Sequence, residues 1–198
     1  MLVLIRHGQS ASNAASALAG RIDAPLTTLG EEQARAAGRR LGPVHEVRSS
    51  SLRRARRTAE LLEVGTPSID DRFIEIDFGI HDGMPLSEVP PALWEQFFSD
   101  PGFRPEGGES LLDLEARVGE ALDEAFCEGG PARSEDGDLV IVSHVSPIKA
   151  AVALVLGASP LITWRMHLSN ASITRIAHGP RGLVLHSFNE LASDAPAG

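Results

Sequence analysis

Two stretches, LVLIRHGQS (Leu2–Ser10) and LVIVSHVSP (Leu139–Pro147), are built alike. Each begins with four consecutive apolar residues, Leu2 to Ile5 in the first and Leu139 to Val142 in the second. A short apolar run without alternation is the pattern of a strand buried on both faces, as in a parallel sheet covered by helices. Each run then ends in a histidine, His7 and His144, where a core strand gives way to a turn. In the second stretch Ser146 and Pro147 are suited to be the N-cap and first residue of a helix.

Outward from these two units the chain repeats strand, turn and helix. A helix of small residues is expected after the first strand, through Ala19. In PLTTLGEEQARAAGRRLGP, Thr28 and Glu31 have capping-box spacing, and Gly42-Pro43 supplies a stop. VHEVRSS is a short strand candidate. Leu52 to Glu63 is helical, with Leu52, Ala55, Ala59 and Leu62 on one side. RFIEIDFG (Arg72–Gly79) is a strand or extended segment. From Gly83 to Gly108 neither period is strong, so this part is expected to lie over the sheet rather than in it. SLLDLEARVGEALDEAF is an amphipathic helix with Leu111, Leu114, Val118, Leu122 and Ala125 at helical spacing. SITRIA and GLVLHSF are late strands forming an antiparallel edge, and the terminal ASDAPAG is expected to fray. Strands alternating with helices define an α/β fold: a mostly parallel central sheet flanked by helices on both faces. We expect a single domain over residues 1–198, with an excursion at about 80–108 covering the site.

Composition narrows the function. A formal net charge of -9 argues against general nucleic-acid binding, which needs an excess of Lys and Arg. The single cysteine, Cys127, excludes an intramolecular disulfide and a cysteine-based metal cluster; its place in a helical pattern suggests packing. The apolar stretch after Met1 stops at Arg6, which does not suit a signal peptide, and AAVALVL (Ala150–Leu156) is too short to span a bilayer. A cytoplasmic location with no membrane partner is expected; the oligomeric state is left open.

In open α/β sheets ligands bind beyond the carboxyl ends of strands, where unpaired N–H groups at helix N-termini favour anions. Arg6 beside His7 adds a planar fork suited to phosphate or carboxylate. Gly8 would let the backbone approach a ligand closely. One histidine at a strand end is ordinarily a hydrogen-bonded structural residue; two in matching contexts, one next to Arg and Gly, point to a phosphate-like anion. His45, His81, His167, His178 and His186 are taken as structural. No H-E-x-x-H, His-x-His or cysteine ligand set is present, so no metal and no cofactor is expected. Four arginines crowd one helix start; phase turns Arg53 and Arg57 away from the apolar side without separating Arg54 from Arg56. Glu75, set amid apolar residues in FIEID, is either a functional carboxylate or the polar face of an edge strand.

LIRHGQS followed by Asn13, then GRIDAPLTTLGEEQA, SSLRRARRTA, RFIEIDFG, PEGGES and VSHVSPIK, in that order, resemble the histidine phosphatase superfamily, over Leu2 to about Asn189. The resemblance implies a phosphoglycerate mutase-like α/β sandwich and a small-molecule phosphomonoester as substrate. His7 would be the nucleophile that carries the phosphoryl group, and Arg6, Arg54 and His144 would hold its oxygens. The family's Leu-x-Arg-Ala pattern selects Arg54. Asn13 would add a neutral donor, and Glu75 would be the general acid and then the base. Gly20, Arg21, Glu109 and Ser110 fall where relatives line the substrate mouth. Val145 replaces a common glycine, where it would either narrow the pocket or shift the backbone slightly, and His81-Asp82-Gly83 replaces Trp-Glu-Gly. The implied activity is metal-independent phosphomonoester hydrolysis through a phosphohistidine. A phosphoglycerate mutase is the alternative within that chemistry, and a non-catalytic binding module is the alternative outside it.

Overall fold

The computed structural model describes residues 1–191, so the expectation for ASDAPAG lies outside the described residues. In strand β1 (Leu2–Arg6) side chains alternate between the two sheet faces, and Leu2, Val3, Leu4 and Ile5 are all fully buried. Both faces are therefore covered. β2 (Val44–Ser49), β3 (Ser68–Ile69) and β4 (Asp138–Ser143) run parallel to β1, while β5 (Ile173–Gly179) and β6 (Gly182–Glu190) form an antiparallel edge. The six strands lie in the order β3-β2-β4-β1-β5-β6. The sequence reading missed β3, whose two residues carry no periodicity.

Among the described residues six α-helices accompany the sheet: α1 (Ala11–Ala14), α2 (Thr28–Gly38), α3 (Arg53–Leu61), α4 (Pro91–Ser99), α5 (Leu111–Phe126) and α6 (Val145–Val155). One face packs Leu2, Leu4, Leu139 and Ile141 with the apolar stripes of α4, α5 and α6. The other packs Val3, Ile5, Val140 and Val142 with Ala37 of α2 and Ala55 and Ala59 of α3. Helices thus cover both faces, and alanines on the second let α2 and α3 approach closely. Full burial of each large aliphatic side chain contributes about 1.5–3 kcal/mol.

Several local expectations are corrected. The first helix stops at Ala14 rather than Ala19: Ser16 takes φ 51, and its carbonyl accepts from Leu86 N while Leu18 N donates to the Met84 carbonyl. The segment after α1 is therefore pinned to the excursion instead of to itself. The N-cap of α2 is Thr27, whose hydroxyl accepts from Gly30 N, one residue before the expected Thr28. Residues 83–108 hold α4, whose Leu93 and Phe97 enter the larger core, so this excursion is part of the packing and not only an overlay. Cys127 is exposed just past α5, its thiol donating to the Glu124 carbonyl at 3.1 Å, because the apolar stripe ends at Phe126. Arg72–Gly79 begins inside a 3-10 turn (Asp71–Phe73) and continues as irregular chain outside the sheet.

Candidate active site

The parallel register of β1 and β4 decides the centre of the site. Arg6 stands opposite Ser143, so the next residues, His7 and His144, leave the sheet side by side. His7 N donates to the Ser143 carbonyl at 2.9 Å. The two imidazoles have centroids 5.1 Å apart at 58°, and both are buried. β2 lies on the other side of β4 and delivers Ser50, whose hydroxyl is 2.6 Å from His144 Nε2. Three neighbouring strands therefore present polar groups at the same end.

α3 supplies the cation between the rings. Arg54 is fully buried, as are Ala55, Thr58 and Ala59 on the same side, while Arg53, Arg56 and Arg57 are exposed. Its Nε lies 3.2 Å from His7 Nε2 and 3.2 Å from His144 Nδ1. Its terminal nitrogens donate to the carbonyls of Ile22 at 2.6 Å and Gly20 at 2.7 Å. His7 Nδ1 is 2.7 Å from the Gly8 carbonyl, which assigns the proton there and turns the Nε2 lone pair toward Arg54. Because Arg54 Nε can only donate, His144 Nδ1 carries the lone pair, which puts the proton of that neutral ring on Nε2, toward Ser50.

Burial, and then the charge of Arg54, hold both imidazoles well below the ordinary histidine pKa. Both rings are held in the neutral form, and the His7 Nε2 lone pair accepts from Arg54 Nε. Arg6, whose Nη1 donates to the Leu168 carbonyl at 2.6 Å, has its pKa lowered to about 10 by desolvation, against the opposing pull of Glu75. It stays a cation at neutral pH. Its Nε is buried without a partner, a donor left open for an anion.

Glu75 is buried and caps α6. Its Oε1 accepts from Ile76 N at 2.8 Å and Ser146 N at 3.2 Å, and its Oε2 from Val145 N at 3.2 Å. This explains why α6 begins two residues before the expected Ser146-Pro147 start: His144 is the extended N-cap, and a distant carboxylate replaces the local hydroxyl. The helix dipole favours that negative charge.

Arg6, His7, Asn13, Gly20, Arg54, Glu75 and Val145 all border one cavity of about 290 Å³. Asn13 closes a capping box with Ser10, and its Oδ1 accepts from Ser10 and from Asn170 Nδ2 at 3.2 Å, which leaves Nδ2 as its free donor. The other expected residues lie elsewhere. A Cβ on Gly8 would stand 2.1 Å from the Gly30 carbonyl oxygen, so this glycine serves a close approach to α2 rather than to a ligand. Arg21 points to Asp77 at 3.4 Å and Glu109 at 3.5 Å. Glu109 is held by Arg117 at 2.7 Å. Ser110, 2% exposed, is the N-cap of α5 and exchanges hydrogen bonds with Asp113. Those three are committed to ion pairs and a cap and do not border the cavity.

Sequence reasoning missed Ser50, Asn170 and the apolar wall of the cavity. Ser50 was hidden in a run of three serines, although it stands at the end of a strand as the histidines do. Asp82, at the family departure, accepts from Arg21 N at 2.7 Å and Phe78 N at 3.2 Å, locking the turn after α1 onto the excursion. Gly20, at φ +43, is required there because a Cβ would strike Asp82. Among the described residues no group of three His, Cys, Asp or Glu gathers for a metal, and no helix is long and apolar enough to cross a membrane.

Fold and site together define an α/β protein with one imidazole, two arginines and a carboxylate around a pocket at the carboxyl ends of its parallel strands, and a second imidazole, His144, buried against Arg54 and His7 without bordering that pocket. The chain belongs to the histidine phosphatase superfamily, whose branch 1 model matches residues 2–191. It is 32% identical over 182 residues to the "Bifunctional protein Rv2228c" of Mycobacterium tuberculosis, a match covering 87% of this chain and 49% of that one. The chain thus spans about half the length of such mycobacterial relatives. It is 34% identical to the "Probable phosphoglycerate mutase GpmB" of Salmonella paratyphi C, covering 98% of this chain and 95% of the relative. Among solved structures, mycobacterial glucosyl-3-phosphoglycerate phosphatase Rv2419c superposes with a TM-score of 0.83 at 28% identity, covering 95% of this chain and 97% of that one.

Proposed function

We propose that this protein hydrolyses small phosphomonoesters in the cytoplasm through a phosphohistidine on His7, without a metal. One observation carries the reading: a buried guanidinium, Arg54, has its Nε within 3.2 Å of lone-pair nitrogens on two neutral imidazoles. In the first step the His7 Nε2 lone pair forms a bond to phosphorus as the ester P–O bond breaks. The leaving alkoxide takes a proton from Glu75 in its acid form, which returns to the carboxylate that caps α6. In the second step water attacks phosphorus, Glu75 takes its proton, and the N–P bond breaks to release phosphate and restore the lone pair. Arg6 and Arg54 stabilise the charge spread over the phosphoryl oxygens, the main requirement of phosphoryl transfer, and His144, whose Nδ1 accepts from Arg54 Nε, positions that guanidinium. Asn13 Nδ2 adds a neutral donor.

The likeness to a protein named as a phosphoglycerate mutase favours one second reading, in which the phosphoryl group returns to the substrate instead of passing to water. Rapid-quench trapping at alkaline pH with labelled substrate tests both. Label on the native chain that is absent in His7→Ala supports the phosphohistidine; label retained in that variant refutes it. Release of inorganic phosphate rather than an isomerised ester separates hydrolase from mutase.

A further inference from the structure

Deepening that reading, and resting on it, we infer that the cavity selects monoesters whose alcohol carries an uncharged apolar group next to the ester oxygen, and disfavours carboxylated esters. Beyond the phosphate end, the wall is made by Leu18, Phe78, Leu86, Trp94, Val145 and Trp164. The aromatic part is rigid. Trp94 meets Trp164 edge to face at 6.0 Å, and Phe78 meets Trp94 at 6.3 Å. The Trp164 indole N–H is already donated to the Phe97 carbonyl at 2.9 Å, so that ring offers the cavity only its carbon surface.

The charges are placed to match. Among the described residues bordering the cavity, the charged side chains are Arg6, Arg54 and Glu75. Both arginines stand at the phosphate end, where the phosphoryl group engages them. Arg21, expected at the mouth, faces Asp77 and Glu109 instead. A carboxylate on the alcohol would lie against indole and aliphatic carbon with no cation in that wall to pair with it, an unpaired and desolvated anion. An alkyl or benzyl group in the same place exchanges water for carbon contact. The relatives named for phosphoglycerate esters act on substrates that carry such a carboxylate, so the inference separates this chain from them.

The test uses alkyl esters throughout, so that the leaving alcohols have comparable basicity. kcat/KM is measured for n-hexyl and benzyl phosphate against glycerol phosphate, phosphoserine and 3-phosphoglycerate. We expect the apolar esters to be preferred on the order of 100-fold, the scale of discrimination that a few methylenes give in an apolar pocket. A preference under tenfold, or a preference for the carboxylated esters, overturns the inference and leaves the phosphatase reading standing. Failure to hydrolyse any of the esters overturns both. Leu86 is 47% exposed at the lip, and the bond from its N–H to the Ser16 carbonyl does not depend on its side chain. Leu86→Arg adds a cation there and should narrow the preference over 3-phosphoglycerate about tenfold; an unchanged ratio would show that the wall is not the selector.

Discussion

Replacing Glu75 with glutamine separates its two duties, capping α6 and carrying a proton. The native carboxylate accepts three backbone N–H bonds, two on Oε1 (Ile76 at 2.8 Å, Ser146 at 3.2 Å) and one on Oε2 (Val145 at 3.2 Å). Glutamine retains one acceptor oxygen. With that oxygen in the Oε1 position two bonds survive, and the amide nitrogen then faces the Val145 N–H, donor against donor. Losing one charge-assisted bond and leaving its donor buried costs about 2–3 kcal/mol. For a chain of this length that is a fall in Tm of about 5–10 °C. The chemical loss is separate: removing a general acid lowers kcat by about 10²–10⁴. It should be full for n-hexyl phosphate, whose alkoxide needs a proton, and at least about tenfold smaller for p-nitrophenyl phosphate, whose phenolate leaves unassisted. Thermal unfolding and steady-state rates on the two esters are the assays. A folded Glu75→Gln variant with a lowered Tm and a hexyl phosphate kcat within about threefold of the parent would make Glu75 a cap alone and refute the proton-transfer role.

Two further outcomes follow from the same geometry. Both His7 and His144 are held neutral, chiefly by burial, whereas unfolded histidine titrates near ~6.5, so below that pH the unfolded chain binds protons that the folded chain refuses. Stability should therefore be level above ~6.5 and fall below it, by up to about 1.4 kcal/mol per pH unit for each histidine. Urea midpoints that stay constant between pH 5 and about 6.5 would contradict neutral burial. Gly8→Ala forces a Cβ to 2.1 Å from the Gly30 carbonyl oxygen, backbone against backbone, and should cost more than about 2 kcal/mol in urea unfolding. Gly42→Ala, with nothing within 4 Å of the added atom, is the control; equal stability of the two variants would show that the loop yields freely.

The two apolar runs, with the helical patterns that alternate with them, determined the layered α/β fold, because a short strand of unbroken apolar residues needs a covering layer on each face. The chemistry at their ends was also legible: Arg6, His7 and His144 stand next to the strands that carry them, so a local pattern reports them. Arg54 was half legible, since helical phase left Arg56 as a rival until packing buried one and exposed the other. What only the tertiary structure decided are the pairings across long sequence separation. Parallel register set the histidines abreast, a strand end supplied Ser50, and Glu75 replaced a local cap on α6 from some 70 residues away. Gly8, Arg21, Glu109 and Ser110 show the converse: their residue types suit a ligand, and a backbone neighbour, two ion pairs and a helix cap claim them instead. A residue's chemistry is written in its type, whereas its partner depends on which distant segment the folded chain brings within 3 Å or so, and no local pattern contains that distance.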